Sequence, residues 1–268
     1  MSCVLNLVIF AILWHKVWLI PVVNLTSTEG KTKNVSDHIV EMGRGIQEIP
    51  LGNTETKILN LGYNQIISLP EFVFHNKSYK SLTKIELHQN RICSIHLTAF
   101  RGLRQLASVI LSDNNITSLD PYIFKHNPRL EKIDFSRNKI SFNRLRVFLV
   151  SQTLESLIVS QNRIEQIYEL TFIGVPNLKN LILDGNILSI IAPNSFKSLN
   201  KLQYLSLTNT GVYRLSESMF NNNLPRIIDL QETPLAKRFD PPLKKITNNA
   251  VRNLINMDQY IFLGDTTV

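Results

Sequence analysis

The side chains able to act as nucleophile, general base or metal ligand are present in this sequence but fall into no working order. Six histidines and two cysteines are scattered along the chain without the paired Cys/His spacing of a zinc site. There is no G-x-S-x-G, no H-E-x-x-H and no G-x-x-x-x-G-K-[ST], the patterns that expose a serine nucleophile, pair two zinc-binding histidines or cradle a phosphate. The sequence therefore reads as non-enzymatic, with no metal and no cofactor expected. Covalent chemistry is signalled at asparagine instead. Asn24-Leu25-Thr26, Asn34-Val35-Ser36, Asn76-Lys77-Ser78 and Asn115-Ile116-Thr117 are N-glycosylation acceptors, usable once the chain enters the secretory lumen. Cys93 is expected to be a packed thiol or, as an odd cysteine in an exported chain, the link of a dimer. Cys3 lies in a segment read below as a leader, so no intrachain disulfide framework is expected.

Asparagine also carries the regularity that decides the fold. Asn64, Asn90, Asn114, Asn138, Asn162 and Asn186 each follow a Leu-x-Leu-like pair, and after a first interval of 26 they recur every 24 residues. A seventh block, Tyr204 to Val212, and a fragment, Ile227 to Leu235, put Thr210 and Thr233 in the Asn position. Fixed periods of this length are the mark of a stacked solenoid. The side-chain alternation of a short strand sends Leu59/Leu61, Ile85/Leu87, Val109/Leu111, Ile133/Phe135, Leu157/Val159, Leu181/Leu183 and Leu205/Leu207 into one core. Each Asn turns inward at the strand's end, where its amide can satisfy backbone groups that the turn would otherwise strand. Ten residues beyond each Asn or Thr210 stands a phenylalanine, Phe74, Phe100, Phe124, Phe148, Phe172, Phe196 and Phe220, read as a second structural ladder on the convex side.

The intervening strand residues face solvent in columns. The central column reads Asn60, Glu86, Ile110, Asp134, Ile158, Ile182, Ser206, Asp229, and beside it runs Gly62, His88, Ser112, Ser136, Ser160, Asp184, Thr208, Gln231. Three isoleucines in a solvent-facing column, rimmed by acids, form a candidate binding patch. Glu86, His88, Ile110, Asp134, Ile158, Ile182 and Asp184 are the expected partner-binding residues. One repeat breaks the rhythm. Its convex stretch, Ser141 to Val150, reads as a short helix with Arg144 and Arg146 facing solvent and Asn143 where other repeats are aliphatic.

Leu-x-x-Leu-x-Leu-x-x-Asn-x-Leu with a Phe ten residues after the Asn resembles the 24-residue "typical" leucine-rich repeat of extracellular proteins such as Toll-like receptor ectodomains and Slit-like factors. The resemblance covers Thr56 to Leu235. It implies an α/β solenoid: a leucine-rich-repeat horseshoe with a parallel β-sheet on the concave face and irregular or short-helical convex turns. Val40 to Pro50 resembles the amino-terminal cap of such proteins, and Thr233-Pro234-Leu235 the opening of the carboxy-terminal cap. Both lack their cysteines: Met42, Lys237 and Phe239 stand near those places.

Residues 1–23 are largely apolar and read as a cleaved signal peptide, the alternative being an uncleaved anchor. Lys16 argues for cleavage, since a lysine near the bilayer centre costs roughly 2.5–3.5 kcal/mol on insertion scales. The chain then divides into an amino-terminal segment with a degenerate cap (24–55), about seven to eight repeats (56–235) and a carboxy-terminal segment (236–268). The formal net charge of +8 comes without a basic run interleaved with aromatics, so no nucleic-acid partner is expected. The expected function is a secreted protein-binding module recognising a protein or glycoconjugate in adhesion, guidance or innate recognition. The alternative is a membrane-anchored receptor or co-receptor.

Overall fold

A computed structural model describes residues 37–220 and 224–247; the leader, Asn24 and Asn34 lie outside these. Along the chain run β1 (His38–Val40), β2 (Ile58–Asn60), β3 (Ser68–Leu69), α1 (Val73–Asn76), β4 (Lys84–Glu86), β5 (Ser94–Ile95), β6 (Ser108–Ile110), β7 (Lys132–Asp134) and β8 (Ser156–Ile158). There follow β9 (Gln166–Ile167), β10 (Asn180–Ile182), β11 (Ile190–Ile191), β12 (Tyr204–Ser206), β13 (Ile227–Asp229), α2 (Pro234–Lys237) and β14 (Lys245–Thr247). Ten strands form one sheet in the order β1-β2-β4-β6-β7-β8-β10-β12-β13-β14, parallel except for the last pair. Eight of them are the strands of the repeat blocks read from the sequence. On the flank beyond the asparagines lie two small parallel sheets, β3 with β5 and β9 with β11. Among the described residues no helix is long and apolar enough to cross a membrane.

The core is one continuous stack. The inward strand pairs from Leu59/Leu61 to Leu205/Leu207 are buried without exception. At roughly 1.5–3 kcal/mol for each fully buried aliphatic side chain, they dominate the stability of a fold whose repeats bury nothing alone. The asparagines bind one turn to the next. Asn138 Nδ2 donates to Leu111 O in the preceding repeat (2.9 Å) and to Phe135 O and Ser136 O in its own (3.0 and 3.2 Å), while Oδ1 accepts from Ile116 N (3.0 Å). Asn90, Asn114, Asn162 and Asn186 repeat this pattern. Thr210 and Thr233 each make the one carbonyl bond a hydroxyl can reach, to Leu207 O and Leu230 O.

Two expectations for the convex side are corrected. Residues 141–150 form turns and bends, not a short helix. Asn143 Oδ1 accepts from Leu145 N at 2.8 Å, and such a local side-chain bond competes with a helical turn. Phe148 also leaves the ladder. It is half-buried, edge-on to Phe135 at 6.3 Å and to Phe142 at 5.0 Å, and Phe142 contacts Phe172 at 5.6 Å in its stead. The six remaining rungs are buried, stacked or tilted at 4.8–6.0 Å on each side of this break.

The sheet is closed at its ends by strands outside the repeat blocks. β1 pairs with β2, and the segment after it hands Asn64 its partners, Arg44 N, Ile46 N and Glu41 O. β14 runs antiparallel to β13. Phe239, at one of the cap-cysteine places, packs against the core instead.

Candidate binding face

Each strand contributes one residue to each outward column, and the ladder register keeps the columns straight. Asn60, Glu86, Ile110, Asp134, Ile158, Ile182, Ser206 and Asp229 pair in sequence across the sheet. Adjacent strands lie about 4.8 Å apart, so Ile158 and Ile182 touch adjacent positions while Asp134 separates them from Ile110. All three isoleucines are half-buried, sunk between the columns on either side. The apolar patch is therefore a pair plus an outlier, not a continuous run.

Asp134 is held toward the neighbouring column, its Oδ1 accepting from Ser136 N (2.8 Å) and Ser136 Oγ (2.7 Å). Glu86 pairs with Lys84 two residues back on the same strand face. His88 lies over Gly62 and meets Tyr63 edge-on at 5.2 Å. A Cβ on Gly62 would stand 2.4 Å from the His88 ring, so the missing side chain is what lets the imidazole lie flat. Asp184 accepts from Thr208 N at 3.1 Å. Burial pushes its carboxyl above the usual range, against the lowering effect of Ser206 and Thr208, and Asp229 adds to the rise.

Asp229, read from sequence as a rim acid, is only 5% exposed. Tyr204 Oη donates to it at 3.2 Å and Lys245 Nζ lies 3.6 Å away. The antiparallel β14 covers it, and nothing in the repeat pattern announces that strand. The column through Lys84, Ser108, Lys132, Ser156, Asn180 and Tyr204 shares the solvent face and was passed over, although strand alternation alone would have found it.

Among the described residues no group of histidine, cysteine and carboxylate side chains could hold a metal ion. Cys93, expected as a packed thiol or a dimer link, is half-exposed and disulfide-bonded, which corrects the packed-thiol expectation. Asn76, at the end of α1, is exposed, and Asn115 is half-buried with its backbone N–H bonded to Ile92 O.

The family model for the leucine rich repeat matches residues 104–149 and 152–212. No curated protein matches by sequence. A crystal structure of a TLR13–ssRNA13 complex is similar at 28% identity and a TM-score of 0.50, over 66% of this chain; the chain spans 28% of that one. The repeat spacing, the asparagine ladder, the parallel sheet and these similarities agree: the chain is built of leucine-rich repeats and is similar to the typical, Toll-like class.

Proposed function

We propose that this chain is an extracellular recognition module that binds a protein partner across the concave face of its sheet, centred on Ile158 and Ile182. The observation that carries this reading is their placement in adjacent register on a strand face that is polar apart from Ile110 and Tyr204. A solvated sheet surface has no need of two neighbouring aliphatic side chains, whereas the centre of an interface does. Glu86, Asp134 and Asp184 supply directional polar contacts around the pair, and His88 and Ile110 extend it toward the amino-terminal turns. From Ile110 to Ile182 the column spans on the order of 14 Å, enough for the centre of an interface, so flanking columns complete it.

A nucleic-acid ligand is the contrasting reading, favoured by the RNA in the similar structure. Acids in both main columns repel a polyphosphate, and the face has no aromatic series on which bases would stack. A protein is the better fit. A repeat scaffold of this kind is ordinarily a binding surface and not an enzyme, in keeping with the absence of a catalytic constellation in the sequence.

The compartment follows from the leader and the sequons: secretion, or retention at the cell surface through residues 1–23. Amino-terminal sequencing of the exported chain separates the two. Binding is tested by screening the oligomerised chain against a panel of ectodomains and repeating each hit with Ile158→Asp and Ile182→Asp. Both substitutions leave Leu157/Val159 and Leu181/Leu183 in place, so the expected result is lost binding, by at least tenfold, with an unchanged melting temperature. Hits indifferent to both substitutions, or a preference for single-stranded RNA, would refute the concave assignment.

A further inference from the structure

The two flank sheets, β3–β5 and β9–β11, leave the third and fourth turns between them without a flank strand. There Phe148, displaced from the ladder, joins Leu119, Pro121 and Val147 in walling a cavity of about 100 Å³ that Arg146 also lines. The neighbouring turns are fixed against it by Val150 N to Pro121 O (2.8 Å) and Phe148 N to Thr171 O (2.9 Å). Leu145, in the same turn as Arg146, is 81% exposed, the most exposed large hydrophobic side chain among the described residues; Tyr122 (50%) and Leu170 (40%) stand on the turns to either side. Arg144 and Arg146 are exposed and make no ion pair among the described residues. The nearby Asp120 is occupied as an acceptor for Tyr122 N at 2.8 Å.

We propose that this flank is a second docking site, taking one aliphatic side chain from an acidic loop of a partner protein. Size argues against a small molecule, whose pockets measure about 300–1,000 Å³; this one has room for a single side chain. An exposed leucine beside an apolar notch needs cover. The two arginines and the net charge of +8 select an acidic partner and speed its approach. A second copy of this chain fits poorly, because a two-fold contact would set the same arginines against each other. The site stands apart from the concave face and does not depend on that reading.

The test is a displayed library of random peptides, selected on the intact chain before and after removal of N-glycans and counter-selected on a Leu145→Asp/Arg146→Glu variant. The expected outcome is enrichment of one aliphatic residue flanked by Asp or Glu. A synthetic peptide of that sequence should bind at least tenfold more weakly to Arg144→Glu/Arg146→Glu and to Leu145→Asp, and equally well to Ile158→Asp, with melting temperatures unchanged. Because all three substituted side chains are exposed, folding should survive. No enrichment, enrichment of basic or aromatic sequences, or loss of binding in Ile158→Asp would overturn the proposal. So would a dimer, measured by light scattering, that Leu145→Asp abolishes.

Discussion

A single asparagine amide in this solenoid satisfies several buried backbone groups belonging to two turns. Removing the Asn138 side chain strands the N–H of Ile116, worth about 1–3 kcal/mol when buried and unmet, and takes one of two donors from the carbonyls of Leu111, Phe135 and Ser136, which keep Asn114, Asn162 and the N–H of Asp113. Asn138→Ala and Asn162→Ala should therefore each lower stability by about 2–3 kcal/mol, whereas Thr210→Val, which gives up one bond to Leu207 O, should cost about 1 kcal/mol. Urea unfolding of the three variants measures this, and equal losses would count against the ladder. Asp184 carries a different consequence. Its carboxyl is raised in the folded chain, chiefly by burial, so the folded state holds the proton more tightly than the unfolded one. Its ionisation costs stability, a cost absent below the unfolded value and complete above the folded one. Asp184→Asn keeps the acceptor for Thr208 N and should raise the melting temperature near neutral pH. That gain should shrink as the medium is acidified through the carboxylate range. A gain that grows in acid would reverse the assignment.

At the level of the strand and its turn, the residue before each ladder Asn or Thr is left-handed: Tyr63, Gln89, Asp113, Arg137, Gln161, Gly185, Asn209 and Glu232 all have φ between +51° and +64°. That conformation costs a non-glycine residue roughly 1–2 kcal/mol, and the amide bonds it allows offset the cost. Residue type gives no hint of it, since only one of the eight is glycine. The aromatic ladder was legible as a spacing but not in its fourth rung, where Phe142 rather than Phe148 meets Phe172. Phe172→Ala should cost about 3–5 kcal/mol, as for a fully buried ring, and Phe148→Ala clearly less, because its ring is already half exposed. Calorimetry of the two variants decides it; an equal loss would restore Phe148 to the core. Gly62→Ala should displace the His88 ring, seen as a shift in the His88 imidazole resonances with little change in those of Asp184.

At the largest scale, the described residues form a stack in which each turn depends on its neighbours, so its ends need closing. Without cap cysteines, β1 and Asn64 close one end, and β14 with Phe239 the other. Ile246→Asp places a charge in the one buried position of β14. It should lower the melting temperature and uncover Asp229, while leaving the middle turns protected in hydrogen exchange. Export makes a further prediction at this scale: the chain from a secreting cell should run faster after enzymatic removal of N-glycans, and Asn76→Gln should remove part of that difference. An unmodified product would count against both the compartment and the use of the sequons.

The sequence alone determined the period, the strand positions, the buried pairs and the membership of the outward columns. All of these follow from side-chain alternation within a strand and from a repeat that recurs every 24 residues, so each turn states its own part. Tertiary structure decided what the repeat does not encode. Asp229 is masked because a non-repeating strand folds back over it, and Ile110 is cut off from Ile158 by an aspartate drawn toward Ser136. Phe142 takes the place of Phe148 because Asn143 turns the chain locally and the next turn's Phe172 receives the ring. In each case the outcome depends on contacts between segments that share no local signal, and only packing chooses among them.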